Sequence, residues 1–321
     1  MKILLSLLII LILGFLTLGI GRYDISYAEI YEILLYQNMN DKNFIILNVR
    51  LPRVILAIIV GAGLGISGAS LQAIFRNPLA SPDILGVSSG ASFGAVLSLI
   101  LGLNIYFLTL TSFLCGLLSL GLTIIIARDF SNKIMIILGG IIIAALFQSF
   151  ISLLKYIADP QDTLPTITYW LLGSLQVSNT HQILFCCAFI IIFGLIIYLF
   201  RWKHNILMLD DNEAKTLGFN VIYVRLFIIF CVTLIIACIV SMCGIIGWIG
   251  LVIPHIARMI AGFNTAKVIA YSIVIGSIFM LLIDTLARTL INQELPLSVL
   301  SAIVGAPFFI AILYKYKGLK I

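Results

Sequence analysis

Charged residues are scarce in this sequence. Asp, Glu, Lys and Arg together make up 10% of its 321 residues, whereas hydrophobic residues make up 62%. A soluble globular domain carries about 25% charged residues. The composition therefore excludes a soluble globular domain and predicts a chain that lies mostly within a membrane.

Motifs for nucleotide hydrolysis and metal binding are also missing. The sequence has no GxxxxGK[ST] phosphate-binding loop, so we expect no catalytic residue and no ATPase activity in this chain. Its six cysteines fall in apolar stretches, form no CxxC pair and have no histidine at ligand spacing. Because buried cysteine behaves as a small hydrophobe, we predict neither a metal site nor a resident cofactor.

The sequence is instead rich in apolar stretches of the length that crosses a bilayer, which takes about 20 residues as a helix. These stretches cover residues 3–21, 51–75, 84–103, 105–127, 134–157, 183–200, 222–243, 245–262, 268–291 and 297–314. Continuous apolar runs exclude a β-barrel, whose strands alternate. We predict an all-α, polytopic membrane protein of about ten transmembrane helices, with one domain over residues 1–321.

The first stretch follows Lys2 but has no small-x-small cleavage site, so we interpret it as a retained helix and not a signal peptide. An even number of helices places both termini on the same side. With the termini inside, the inner basic residues are Lys2, Arg76, Arg128, Lys133, Arg201, Lys203, Lys215, Arg225, Lys267, Lys315, Lys317 and Lys320. The outer ones are Arg22, Lys42, Arg50, Arg53, Lys155, Arg258 and Arg288. This bias obeys the positive-inside rule, so the net charge of +6 requires no nucleic-acid partner.

Two sequence blocks stand out within the apolar stretches. Residues 50–90 read RLPRVILAIIVGAGLGISGASLQAIFRNPLASPDILGVSSG, and residues 244–258 read GIIGWIGLVIPHIAR. Small residues at this density allow helices to approach closely in lipid, where packing drives association. Gly63-x-Gly65-x-x-Gly68 matches a dinucleotide-binding pattern, but that pattern needs a preceding strand. Since it lies in the middle of a predicted helix, we interpret it as a packing motif.

Both blocks resemble motifs of the FecCD/BtuC-type permeases, the membrane subunits of ATP-driven importers for ferric siderophores, haem and cobalamin. The resemblance extends from about residue 1 to the C-terminus. It implies a permease that moves such metal chelates across the bacterial cytoplasmic (inner) membrane, with both termini cytoplasmic.

The resemblance also implies partners. These are a second copy of the permease, two copies of a separate cytoplasmic ATPase that uses ATP and Mg²⁺, and a periplasmic or lipid-anchored solute-binding protein. The sequence leaves open a heterodimer with a paralogous permease, and it does not identify the chelate.

The two blocks occupy related places in the two halves of the chain. Each ends a long helix, breaks at Gly or Pro, and continues into a shorter segment of small residues. On the charge-based topology the first block ends inside and the second ends outside, which predicts an inverted repeat with the pathway between its halves. The family fold implies the same relation between helices 2–5 and 7–10.

Three arginines are candidates for docking of the binding protein. In the family, arginines at the positions of Arg50 and Arg53 receive carboxylates of the binding protein, and Arg288 matches a third arginine on the same face. The alternative for Arg50 and Arg53 is that they extend to the lipid headgroups. Asp284 lies four residues before Arg288 and could pair with it along the helix.

Asn77 and Leu79 are candidates for the cytoplasmic gate, because the Asn and Leu of this motif help to close the inner gate in the family. Pro78 ends the preceding helix in any case, since proline restricts the residue before it to extended geometry. A plain helix stop therefore remains the alternative.

Residues 209–218 resemble the coupling loop, which enters a groove on the ATPase in the family. We predict that Leu209, Ala214 and Leu217 bury against the ATPase, that Asp211, Glu213 and Lys215 form the rim, and that Gly218 ends the segment in a left-handed turn. The sequence departs from the family pattern at Asp210, Asn212 and Glu213. The alternative is an amphipathic segment that rests on the membrane surface.

The competing class is an ion-coupled secondary transporter, which places ionisable residues at the membrane midplane. Asp284 is the one candidate for such a residue. A channel would need a ring of polar or charged residues, and a membrane enzyme a cluster of acids, bases or metal ligands. We interpret His255 as a structural residue at the start of a helix and not as a metal ligand.

Overall fold

The apolar stretches form helices because a helix satisfies its own backbone hydrogen bonds where water is absent. In the computed structural model, the described residues are 2–36, 41–128, 132–176 and 180–317. Their α-helices are, in chain order, α1 (Lys2–Gly19), α2 (Tyr27–Tyr36), α3 (Asp41–Phe44), α4 (Leu51–Phe75), α5 (Val87–Ile100), α6 (Ile105–Ala127), α7 (Lys133–Ile157), α8 (Thr163–Leu171), α9 (Thr180–Leu199), α10 (Arg201–Leu207), α11 (Asp211–Thr216), α12 (Val221–Cys243), α13 (Ile249–Ala261), α14 (Thr265–Thr289) and α15 (Leu297–Lys317). A π-helical turn, Ile45–Arg50, joins α3 to α4, and a 3₁₀ turn, Pro82–Leu85, precedes α5.

Within the described residues, six helical segments are long and apolar enough to cross a membrane, namely Asp41–Phe75, α6, α7, α9, α12 and α14. Four shorter apolar helices accompany them, namely Leu5–Gly19, Val87–Ile100, Ile249–Ala261 and Leu297–Ala311. Each corresponds to one of the stretches that the sequence predicts. The all-α polytopic fold is therefore confirmed.

The two ends of the bundle are named here after the arginines at the two ends of α4, the Arg53 end and the Arg76 end. Helix α14 lies antiparallel to α4, so Asp284 near its last turn meets Arg53. Arg50 at the Arg53 end donates to the carbonyl of Leu18, so α1 ends there. Leu297 and Arg53 line the same basin, so α15 begins there.

Two half-length helices give the bundle its inverted symmetry. Helix α5 begins beside Leu64 in the middle of α4, packs on α12 and runs to the Arg53 end. Helix α13 begins beside Gly68, packs on α4 and runs to the Arg76 end. The two half-helices point in opposite directions, which agrees with the predicted inverted relation between the two halves.

The short α13 corrects one assignment made from the sequence. Arg258 was predicted on the outer side, but its Nη2 donates to Oε1 of Gln72 at 2.9 Å, one turn from Arg76. The prediction was wrong because the segment after α12 re-enters the bundle, so the chain reaches the Arg76 end within thirteen helical residues. The basic bias of the Arg76 end becomes larger as a result.

Glycines of α4 bring three helices into close contact. A Cβ on Gly61 would overlap the carbonyl oxygen of Gly276 in α14, and a Cβ on Gly68 would overlap that of Gly250 in α13. Gly65 approaches the carbonyl of Ser272 in the same way. The interpretation of this glycine pattern as helix packing is confirmed, and no room remains there for a nucleotide.

Candidate functional site

A buried ion cluster joins α4, α14 and the segment that follows α14 at the Arg53 end. Its members, called here the Asp284 cluster, are Arg53, Asp284, Arg288 and Glu294. Arg53 donates from Nε to Oδ1 of Asp284 at 2.8 Å and from Nη1 to Oε1 of Glu294 at 3.0 Å. Arg288 Nε lies 3.1 Å from the second carboxylate oxygen of Asp284. Two guanidinium groups thus share a carboxylate that is 1% exposed.

Arg50 fixes the end of α1 against α4. Its Nη1 donates to the carbonyl of Leu18 at 2.7 Å, and its Nη2 donates to the carbonyl of Tyr23 at 2.5 Å. The side chain therefore satisfies one carbonyl at the end of α1, where helical partners are missing, and a second carbonyl in the segment that follows α1.

The three candidate docking arginines are not exposed at the surface of the Arg53 end. Arg50, Arg53 and Arg288 are 5%, 7% and 8% exposed and bind partners within their own chain. The physical reason is that the helix does not begin at the arginines, because α3 and the π-helical turn extend it back to Asp41. Their guanidinium groups consequently lie below the surface of the Arg53 end.

A basin of about 350 Å³ opens beside this cluster at the Arg53 end. Arg53 and Glu294 line one side, and Tyr169 and Trp170 of α8 line the other. The side chain of Glu294 is 30% exposed, so the basin gives solvent access to the edge of the Asp284 cluster.

Asp284 does not lie at the membrane midplane. It belongs to the last two turns of α14 and has two arginine partners. Both of its carboxylate oxygens are occupied by ion pairs within the chain, so its arrangement is that of a structural residue and not of a carrier site.

The gate loop, residues 76–80, leaves α4 through a left-handed residue. Arg76 has φ 50° and ψ 35°, a conformation that non-glycine residues rarely adopt. The side chain of Asn77 closes a local turn, in which Oδ1 accepts from the backbone N–H of Leu79 at 2.9 Å. Leu79 is 54% exposed. The loop thus presents an apolar side chain on a turn that Asn77 braces.

The coupling segment, residues 209–218, projects from the Arg76 end. Asp210 and Glu213 form a reciprocal capping box at the start of α11, and Gly218 has φ 72° after its end. The predicted left-handed turn at Gly218 is confirmed. Leu209 and Leu217 are 39% and 63% exposed, as a contact surface requires.

The side chains of two residues in the coupling segment face the bundle and not the outer surface, where a partner protein would bind. Ala214 is fully buried within the chain, because the capped turn of α11 sets it against the bundle while its neighbours Glu213 and Lys215 face solvent. Asp211 also points inward, toward basic residues. The predicted burial of Ala214 against the ATPase and the predicted rim position of Asp211 are therefore wrong.

Asp211 is the centre of a second ion cluster, called here the Asp211 cluster. Its members are Arg76, Lys133, Asp210, Asp211 and Arg225. Arg76 Nη2 donates to Oδ1 of Asp211 at 2.8 Å, and Arg225 Nη2 donates to Oδ2 at 2.8 Å. Lys133 Nζ lies 3.5 Å from Oδ1. The cluster joins the coupling segment to the gate loop, α7 and α12.

The cations around Asp211 keep it ionised. Partial burial alone would raise its pKa, but the guanidinium groups of Arg225 and Arg76 outweigh this and lower the pKa to about 2. Because the folded-state pKa lies below the ordinary value of 3.8, the stabilising contribution is complete above that value and is lost as the pH falls through about 2. The cluster is intact at neutral pH.

His255 was predicted at the start of a helix, and this position is wrong, because α13 begins six residues earlier at Ile249. It lies within α13, with its ring 5.8 Å from that of Phe309 in an edge-to-face arrangement. Within the described parts of the chain, no three His, Cys, Asp or Glu side chains come together as a metal site would need.

The inverted bundle, its interrupted helices and its two ion clusters define a multi-pass membrane transport subunit. A model of the FecCD transport family matches residues 8–315. The chain belongs to this family and is a permease subunit of an ABC importer, which is not itself an enzyme and carries no cofactor of its own. Family membership decides against an ion-coupled secondary transporter.

Individual relatives cover nearly the whole chain. The molybdate import system permease protein MolB of Haemophilus influenzae is 40% identical over 97% of this chain and 94% of that protein. An iron chelatin transport system permease protein of Helicobacter pylori is 35% identical over 96% of each chain. A solved structure described as an inward-facing conformation of a metal-chelate type ABC transporter superposes with a TM-score of 0.90, at 40% identity over 98% of this chain and 99% of that one.

Proposed function

We propose that this permease imports a metal chelate, of the iron-siderophore, haem or cobalamin type, into the bacterial cytoplasm. The whole chain, residues 1–321, acts as one transmembrane domain in the inner membrane, with the Arg76 end and both termini cytoplasmic. The observation that carries the proposal is the coupling segment, whose exposed Leu209 and Leu217 project from the end where basic residues concentrate. An importer driven from the cytoplasm needs such a contact with its ATPase.

The working complex is a homodimer with two ATPase subunits below it and a solute-binding protein above it. Each ATPase binds one coupling segment through Leu209, Leu217 and the exposed polar residues Glu213 and Lys215. Leu79 of each permease closes the inner gate on the dimer axis, and Asn77 holds the turn that presents it.

The binding protein docks on the Arg53 end and releases cargo toward the basin beside α8. Arg50, Arg53 and Arg288 contribute to this docking by holding the surface in shape, and Arg53 and Glu294 also line the basin that a docked protein would cover. Carboxylates of the binding protein would reach this edge of the Asp284 cluster through the basin.

Molybdate is the second candidate cargo. It is favoured by the 40% identity to a protein named as a molybdate import permease, whereas iron chelatin is named for a relative at 35% identity. Both names describe metal-containing solutes. The proposed cargo is a metal chelate, and the free molybdate oxyanion is the alternative cargo.

Transport should depend on ATP and persist without a proton gradient, because the one candidate carrier residue, Asp284, is held in ion pairs with Arg53 and Arg288. The measurement is cargo uptake into proteoliposomes that contain the permease and its cognate ATPase, with the binding protein added outside. An uncoupler at constant internal ATP should leave uptake unchanged. Uptake abolished by the uncoupler would contradict the proposal.

Cargo identity is tested in the same proteoliposomes by competition. Radiolabelled ferric siderophore, haem, cobalamin and molybdate are supplied separately with the binding protein, each with unlabelled competitors. We expect saturable uptake of one chelate, and no competition by molybdate. Saturable uptake of molybdate alone would replace the chelate proposal with the oxyanion.

A further inference from the structure

We propose that Asp211 is the positioning residue that transmits movement of the coupling segment to the gate loop. This inference rests on the proposed role of residues 209–218 as the ATPase contact. It concerns a different event, since contact with the ATPase and transmission into the permease are carried by different side chains.

The exposed and inward faces of the coupling segment divide these tasks. Leu209 and Leu217 face outward, where a partner can contact them. Ala214 and Asp211 face the bundle, and a force applied to the outer face reaches the bundle through them. The methyl group of Ala214 makes only non-directional contacts. The hydrogen-bonded ion pairs of Asp211 are directional.

Both carboxylate oxygens of Asp211 are held by arginines from different elements. Oδ1 accepts from Arg76 of the gate loop and Oδ2 accepts from Arg225 in the first turns of α12. Lys133 at the start of α7 approaches the same carboxylate. One side chain thereby links the coupling segment to three separate parts of the permease.

All three nitrogen atoms of the Arg76 guanidinium group donate hydrogen bonds to the coupling segment or to Leu207, the last residue of α10. Nε donates to the carbonyl of Leu207 at 3.0 Å, Nη1 to Asp210 at 2.8 Å and Nη2 to Asp211 at 2.8 Å. The next residue along the chain is Asn77, which braces Leu79. A displacement of α11 therefore moves Arg76, which is bonded directly to Asn77 in the gate loop.

The left-handed backbone of Arg76 explains why the position of the gate loop depends on the position of the coupling segment. A non-glycine residue in this conformation costs free energy that the surrounding contacts must offset. The three hydrogen bonds from the guanidinium group provide such contacts. When the coupling segment moves, the gate loop must move with it or lose the interactions that hold its first residue.

The test is Asp211→Asn, which keeps the shape of the side chain and removes its charge. We expect ATPase affinity and ATP hydrolysis by the assembled complex to stay within about twofold, while cargo uptake falls about tenfold or more. The ATP consumed per cargo molecule should rise by the same factor. Asp211→Glu should restore much of the uptake, because it keeps the carboxylate.

Glu32→Gln is the matched control, since it removes one exposed carboxylate at the opposite end of the bundle. It should leave ATP consumed per cargo molecule unchanged. An Asp211→Asn permease with wild-type coupling would overturn the proposal. Parallel loss of ATPase binding and uptake would also overturn it, because that is the result of a merely structural role.

Arg76→Gln provides a second route if Asp211→Asn does not assemble. Its side chain is 24% exposed, and Asp211 keeps Arg225 as a partner in this variant. We expect the same uncoupling, and no further loss when both substitutions are combined, because residues that act as one unit are non-additive. Full coupling in Arg76→Gln, or additive losses in the double variant, would contradict the proposal.

Discussion

Asp284→Asn should strongly destabilise the permease. The substitution leaves the guanidinium groups of Arg53 and Arg288 in a site that is 1% exposed at Asp284, without the carboxylate that both contact. Arg53 keeps Glu294 as a partner, whereas Arg288 loses its carboxylate partner. Removing one partner of a buried ion pair costs about 3–5 kcal/mol. We expect a clear fall in the thermal unfolding midpoint of the purified permease in detergent.

The control for this prediction is Glu32→Gln, an equivalent loss of one carboxylate from the exposed face of α2 at the same end. Surface substitutions of this kind usually change stability by about 0.5 kcal/mol or less, so its midpoint should equal that of the wild type. If Asp284→Asn unfolds at the same temperature as Glu32→Gln, the Asp284 cluster does not hold α4 to α14.

The Asp284 cluster also changes how variants of the docking arginines are to be interpreted. Arg53→Glu would place a carboxylate beside Asp284 and Glu294, which now accept from that arginine. Loss of binding-protein affinity in such a variant would report damage to the permease as well as a lost contact. Unfolding must therefore be measured in the same preparation before affinity is assigned to docking.

The crossing helices could be predicted from the sequence because the membrane imposes a length and a composition on each of them. Helices α6 and α12 begin and end within one residue of the apolar stretches 105–127 and 222–243. The same reasoning failed for Arg258, because hydropathy does not distinguish a full crossing from a half-length helix that re-enters the bundle.

The ion clusters could not be predicted because their members are far apart in the chain. Asp211 meets Arg76 across 135 residues, and Arg53 meets Asp284 across 231 residues. The i,i+4 spacing of Asp284 and Arg288 was the one local signal, and the structure confirms that pair. Ala214 illustrates the same limit, since its position between polar residues does not show which face of α11 meets the bundle.

Leu217→Asp should abolish binding of the ATPase while leaving the permease folded. Leu217 is 63% exposed and lies beside the turn at Gly218, so the new carboxylate is solvated in the free permease. In a complex it would be an unpaired charge at the centre of an apolar contact, where single substitutions cost about 2 kcal/mol or more. We expect at least about a tenfold loss of affinity for the ATPase in a binding assay with purified subunits.

Leu35→Asp is the matched control, because Leu35 is 55% exposed on α2 at the opposite end. It introduces the same charge and should leave ATPase affinity unchanged. Equal affinity of the Leu217→Asp and wild-type permeases would show that the ATPase binds elsewhere. That result would end the proposed role of the segment, and it differs from the outcome that tests Asp211, in which affinity is kept and coupling is lost.

Ala214→Glu separates the two faces of the same short helix. Ala214 is fully buried inside the chain, so the carboxylate would be driven into the bundle without a built partner, which carries a large desolvation cost. We expect a low yield of folded permease and a lowered unfolding midpoint, in contrast to Leu217→Asp. A stable Ala214→Glu permease that lost only its ATPase would mean that α11 turns this residue outward, and that the inward direction of Asp211 is also incorrect.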